Sequence, residues 1–215
     1  MLKKLLLLSS ALFLVAAPFA KADPIGTVAT YSLTFDGCTG GCGSGPFGTI
    51  TLTQSATGVV TVNETLASGV AFVGTGAGRS IEFNLTGSPA VTIGNITSPF
   101  FSSGSDSAST FGDFGYSLSC YDKVNKTGCG PGGSKPNPGP LSFTVTNGTG
   151  VNVSDFIANS DGYFFASDVS GVTGNTGNVA AKGGTTPPAV PEPSSLLLFG
   201  TGALGVAGLI RRKLF

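Results

Sequence analysis

The sequence predicts an all-β protein: an antiparallel β-sandwich, jelly-roll-like, with an N-terminal signal peptide before it and one C-terminal transmembrane helix after it. Three observations lead there. Apolar and polar residues alternate at period two along most of the chain, as in strands with one buried face. Clusters of glycine, proline and asparagine break the alternation at short intervals, the punctuation of hairpins and tight turns. Only the two ends carry uninterrupted apolar runs.

The N-terminal run is an export address. Lys3 and Lys4 form a basic region, residues 5–17 are apolar, and Ala20-Lys21-Ala22 is a small-x-small cleavage site. These are the three parts of a secretory signal peptide, which the export (Sec) machinery reads and a peptidase removes. Residues 1–22 are therefore the leader, and the mature chain begins at Asp23.

Residues 23–179 form the predicted sandwich body, long enough for one domain with its own core. Its one-face rows are Ala29, Tyr31, Leu33 and Phe35; Ile50 and Leu52; Val60 and Val62; Ile81, Phe83 and Leu85; Val91 and Ile93. Residues 102–109 read as a Ser/Gly-rich loop. Further rows are Phe114, Tyr116, Leu118 and Cys120, then Leu141, Phe143 and Val145, with last strands at 151–156 and 163–169. Turns are expected at Thr57-Gly58, residues 74–78, Gly87-Ser88-Pro89, Asn147-Gly148 and Asp161-Gly162. That makes roughly nine short strands and no soluble helix, the pattern of a two-sheet antiparallel fold. Residues 130–140 are an exposed proline-rich loop, and residues 180–189 are a Gly/Thr/Pro tether whose composition packs no core.

Cys38, Cys42, Cys120 and Cys129 are an even set in an exported chain, which reads as two disulfides. Three pairings are open from sequence. The short loops favour Cys38 with Cys42 and Cys120 with Cys129. A zinc site is the weaker reading, because the spacings fit no finger or ribbon and the chain has no histidine.

The formal charge of zero hides an asymmetry. Six of the basic residues lie in the two terminal segments, leaving Arg79, Lys123, Lys126, Lys135 and Lys182 against the eleven acidic residues of the chain, a surplus of about six negative charges. Nucleic acid and anionic lipid, which require a basic patch, are not expected partners.

Without histidine, neither a Ser-His-Asp nor a Cys-His apparatus can form, and no cofactor is expected. Glu64 and Glu82 are the glutamates of the body and the only route to paired-carboxylate glycoside hydrolysis, a reading weaker than two solvent-facing strand residues. Asp155, Asp161 and Asp168 are weak calcium candidates, lacking the closely spaced ladder of an EF-hand loop. A sugar-binding surface would suit a matrix role, against which stand the absence of tryptophan and the four tyrosines. Asn63, Asn84, Asn95, Asn125, Asn147 and Asn152 each begin an Asn-x-Ser/Thr acceptor pattern and are candidate glycosylation sites.

The last 26 residues, 190–215, carry the most specific signal. Pro191-Glu192-Pro193 is followed by an uncharged apolar run at 194–210 and then by Arg211, Arg212 and Lys213. As a helix the run reaches about 25 Å, slightly short of a hydrocarbon core, and long basic side chains bridge the shortfall by snorkelling. The basic cluster at 211–213 stays on the cytoplasmic side and places the body on the other. Prolines flanking Glu192 hold that segment extended at the membrane surface. Within the run, Gly200, Gly202 and Gly205 match a dinucleotide-binding spacing, but no strand, crossover or acidic residue follows, and the match is rejected.

Proline-glutamate-proline, a hydrophobic helix and a terminal Arg/Lys cluster, in that order, resemble the PEP-CTERM sorting signal. The resemblance implies recognition of Pro191, Glu192 and Pro193 by exosortase, a membrane-embedded, transpeptidase-like enzyme of bacteria that make extracellular polysaccharide. It further implies a transient inner-membrane anchor, loss of the helix, and release to the cell surface or matrix, with a structural or adhesive role linked to exopolysaccharide. The stretch from Asp155-Phe156 through Tyr163-Phe164-Phe165 to Asn178-Val179 is similar to the closing segment of many such surface proteins and implies no activity.

Overall fold

Alternation in the sequence becomes two facing antiparallel sheets in a computed structural model, which describes residues 22–75, 79–108, 110–130 and 134–185. The first sheet contains β1 (Val28–Leu33), β3 (Gly48–Ala56), β4 (Val59–Leu66), β7 (Thr92–Gly94) and β12 (Leu141–Thr146), in the spatial order β1-β3-β4-β12-β7. The second contains β2 (Phe35–Asp36), β6 (Ile81–Leu85), β8 (Phe101–Ser107), β9 (Asp113–Ser119), β14 (Phe165–Ser170) and β15 (Thr176–Ala181), ordered β2-β15-β14-β6-β9-β8. Two short pieces complete it: β5 (Ala71–Phe72) beside β14, and β13 (Phe156–Ile157) beside β6. A separate hairpin pairs β10 (Tyr121–Asp122) with β11 (Thr127–Gly128).

Inward residues of the first sheet are Tyr31, Leu33, Ile50, Leu52, Val60, Val62, Leu141, Phe143 and Val145, all buried. They meet Ile81, Phe83, Leu85, Leu118, Phe165 and Val169 of the second sheet in one core. Rings cross the interface: Tyr31 lies 4.9 Å from Phe165 and Phe83 lies 5.8 Å from Phe143, centroid to centroid. Burial of this many large apolar side chains, each worth about 1.5–3 kcal/mol, is what holds the sheets together. The outward face of the first sheet carries Thr30, Thr51, Thr53, Thr61, Asn63, Thr65, Ser142, Thr144 and Thr146, with no charge among them. β-branched threonine suits a half-exposed pleated surface. Hairpins β3–β4, β8–β9 and β14–β15 stay within one sheet, a departure from the two Greek keys of a jelly roll.

Several elements differ from the sequence reading, each for a visible reason. Phe35 does not continue the β1 face. The chain crosses between sheets at Thr34, whose N–H donates to Ala180, and Phe35 pairs with Ala180 in the second sheet. The Ser/Gly-rich stretch at 102–109 is mostly strand β8, irregular at two places, where Ser117 Oγ meets Ser103 Oγ and the Gly104 carbonyl at 2.7 Å each. Polar composition hid an edge strand that hydroxyls help to hold. Phe114 leaves the Tyr116 and Leu118 row because the β8–β9 register shifts between Gly104↔Ser117 and Asp106↔Phe114, an extra residue on β9 that turns Phe114 to the other face, and the Gly115 N–H there donates to Asn84 Oδ1 at 2.7 Å. Phe114 instead joins Ala108, Phe111, Ala166 and Ala180 in a second cluster on the far face of the second sheet.

Of the strand expected at 151–156 only Phe156, the first residue of β13, is strand. Buried Gln54 captures the backbone before it: Nε2 donates to the Val151 carbonyl at 3.0 Å and Oε1 accepts the Val153 N–H at 3.1 Å. A single 3₁₀ turn, Val153–Asp155, follows. At the other end, residues 180 and 181 of the expected tether belong to β15, Thr185 pairs with Thr30, and the compact unit runs to Thr185. Residues 186–189 of the tether, the leader up to residue 21 and the segment 190–215 lie outside the described residues. Among the described residues no helix is long and apolar enough to cross a membrane.

Candidate functional site

Pro191, Glu192, Pro193, the run at 194–210 and Arg211, Arg212 and Lys213 all fall outside the described residues. The side chains with chemistry inside the body can be placed one by one.

Both disulfides have the pairing the loop lengths favour: Cys38 with Cys42 and Cys120 with Cys129, Cα atoms 5.5 and 5.3 Å apart. Asp36 organises the first loop by accepting the N–H of Cys38 at 2.9 Å and of Cys42 at 2.8 Å. Asp36, Cys38 and Cys42 are the one group of possible metal ligands that converges among the described residues. With both sulfurs in a disulfide neither offers a thiolate, and the carboxylate is occupied by backbone donors. The work of the Asp36 carboxylate is to hold the turn.

The three candidate calcium aspartates serve separate ends. Asp155 Oδ2 accepts the Asn152 N–H at 2.8 Å and closes the 3₁₀ turn. Asp161 is exposed on the Asp161-Gly162 turn, its N–H bonded to Asn159 Oδ1. Asp168 is fully buried and accepts both the N–H and the hydroxyl of Thr75 at 2.5 Å. Burial pushes its carboxyl up to about 6, against the opposing pull of the Thr75 bonds and Arg79. The three are not among the described groups whose ligand atoms converge.

Glu64 and Glu82, the candidate acid pair expected to face solvent, are both fully buried and face opposite ways. Glu64 points between the sheets, where Ser167 Oγ donates to its Oε1 at 2.6 Å. Glu82 is paired across the ladder with Ala166, the strand neighbour of Ser167. Adjacent strand residues point to opposite faces, so Glu82 is buried on the far side of the second sheet. Two carboxyls on either side of a sheet cannot flank one glycosidic bond.

The six acceptor asparagines are scattered. Asn63 is exposed on the outer face of β4, and Asn95 is exposed with its amide on Thr144 Oγ1. Asn84 and Asn147 spend their Oδ1 on the N–H groups of Gly115 and Thr149. Asn125 is exposed in the β10–β11 turn, and its backbone and side-chain bonds to Asp122, followed by the Val124 N–H, hold that carboxyl below the usual range. Asn152 is tied to Asp23 and Asp155.

One grouping was not visible in the sequence. Phe35 from β2 meets Tyr163 edge-on at 5.5 Å, Phe111 packs on Tyr163 at 4.8 Å, and the Lys182 Nζ sits 4.2 Å from the Tyr163 ring centre. Phe35 remains 39 % exposed and Lys182 is exposed. The four residues are spread over the whole body, and only the crossing at Thr34 and the β14–β15 hairpin bring them together.

Fold and side chains define a disulfide-stapled, all-β, sandwich-like protein in which Asp36, Asp122 and Asp155 hold the chain's own turns. To this body is joined a sorting address: the family described as PEP-CTERM protein-sorting motif matches residues 189–213. The chain thus carries a PEP-CTERM sorting motif, and the motif points to an exported protein that transits a membrane and is sorted by exosortase. No curated protein and no solved structure matches the chain.

Proposed function

We propose that this is a non-enzymatic structural or adhesive component of a bacterial surface or extracellular matrix, linked to exopolysaccharide. The Sec machinery exports it, the helix at 194–210 holds it in the inner membrane, and exosortase cuts near Pro191-Glu192-Pro193 to release it outward. The observation that carries this reading is the sorting motif at 189–213, placed immediately after a compact unit that ends at Thr185. The non-enzymatic part is supported by the lack of histidine and by the opposed directions of Glu64 and Glu82. Glu192→Gln is the test, read by fractionating the producing cells. The precursor is expected to accumulate in the membrane fraction; release at the ordinary level would end the sorting claim.

A second reading, a carbohydrate-binding module, is favoured by the grouping of Phe35, Tyr163 and Lys182. An exposed aromatic ring supplies an apolar face for sugar C–H groups, and a neighbouring ammonium donates to hydroxyls. Electrophoresis of the processed protein through gels containing dextran or hydroxyethylcellulose measures it. Retardation that Phe35→Ala weakens several-fold supports the module; identical mobility with and without both polymers rejects it.

A further inference from the structure

The residue that the leader's cleavage site makes first in the mature chain is already engaged by the fold. The Asp23 N–H donates to Asn152 Oδ1 at 3.1 Å, and Asp23 Oδ2 accepts the Ser154 N–H at 2.8 Å. Both partners belong to the segment that Gln54 holds and that Asp155 closes. Asp23 therefore ties the start of the chain to a turn 131 residues away. Ala22, by contrast, is exposed and lines an open hollow of about 380 Å³ beside Gly58, Asn147 and Asn152.

We propose that the cut after Ala22 creates a structural group: the freed α-ammonium of Asp23 is seated on Asn152 Oδ1 and locks the mature N-terminus onto the turn at 152–155. Hydrolysis by a signal peptidase consumes one water, leaving a carboxylate on Ala22 and, with a proton, an ammonium on Asp23. One amide donor becomes a cationic group with three, and hydrogen bonds from ionised donors are roughly twice as strong as neutral ones. The Asp155 carboxylate, bonded to the Asn152 N–H and amide, adds a favourable charge to the same turn. In the acceptor pattern Asn152-Val153-Ser154 the nitrogen that would carry a glycan, Asn152 Nδ2, donates to Asp155 Oδ2 at 3.4 Å while Asn152 Oδ1 accepts from Asp23, so both ends of this amide are engaged in the mature protein whatever happens at Asn63, Asn84, Asn95, Asn125 and Asn147.

The processed protein, recovered from the cells that make it, supplies the test. N-terminal sequencing is expected to begin at Asp23, and peptide mass mapping to find Asn152 unmodified. Acylation of the α-amine by a succinimidyl ester near pH 6.5 is expected to run at least tenfold slower in the native protein than in urea. Asn152→Ala should restore fast acylation and lower the Tm by several degrees. Asp23→Ala, a milder change at a half-buried position, should lower the Tm while leaving the start of the chain in place, which keeps the test decisive should Asn152→Ala fail to fold. A mature chain beginning elsewhere, a modified Asn152, an α-amine that acylates equally fast in folded and unfolded protein, or an unchanged Tm in Asp23→Ala would overturn the proposal.

Discussion

Glu64 is the residue whose placement is hardest to reconcile with stability. It occupies an inward position of β4, paired with Ile50 and Leu141, where the alternation calls for an apolar side chain. Ser167 satisfies one oxygen; Oε2 has no hydrogen-bond partner among the described residues. Desolvation pushes the carboxyl up to about 8, the Ser167 bond only partly opposing it. Because the folded-state pKa lies above that of the unfolded chain, the native protein keeps a proton that the unfolded chain releases. Stability is then full below about pH 4.5 and falls as pH rises towards 8, at up to about 1.4 kcal/mol per unit. Glu64→Gln cannot ionise and should flatten this slope. Urea denaturation at pH 5 and pH 8 is expected to show the variant gaining on the parent by a few kcal/mol at the higher pH; equal slopes would mean that Glu64 does not titrate in that window. Asp168, raised to about 6, adds a smaller loss of the same sign as pH climbs from about 4 to 6.

Among the elements, the β10–β11 hairpin depends most on a covalent tie. Two ladder pairs are too few for an independent hairpin, and the segment stands because Cys120 and Cys129, both buried, close it from below. A loop this short gives the smaller end of disulfide stabilisation, about 2 kcal/mol. Gly128 has φ +90°, and a Cβ there would collide with the Cys120 carbonyl oxygen. Gly128→Ala should therefore open the hairpin and cost about 2–3 kcal/mol through steric overlap and left-handed strain. Proteolysis within residues 121–128 should speed up before any change in the far-ultraviolet signal of the sheets; unaltered proteolysis would place the strain elsewhere. The disulfide pairing was legible from short spacing. The strand character of 101–107 was not, because an edge strand held by serine hydroxyls has no apolar face to announce it.

For the whole molecule, what the sequence determined by itself is whatever depends on near neighbours. Period two set which residues of β1, β3, β4, β6 and β12 face the core, since successive side chains must point to opposite sides. Short spacing set the disulfides, and three contiguous features set the sorting address. What only the tertiary structure decided is whatever depends on which strands meet. The crossing at Thr34 sent Phe35 to the second sheet and to Tyr163 and Lys182, and Gln54 turned an apparent strand at 151–156 into the seat of Asp23. The second sheet, covered by Phe111 and Phe114 on its far face, buried Glu82 where alternation predicted solvent exposure. Alternation reports that a residue points away from one core; it carries no information on whether another part of the chain covers that side.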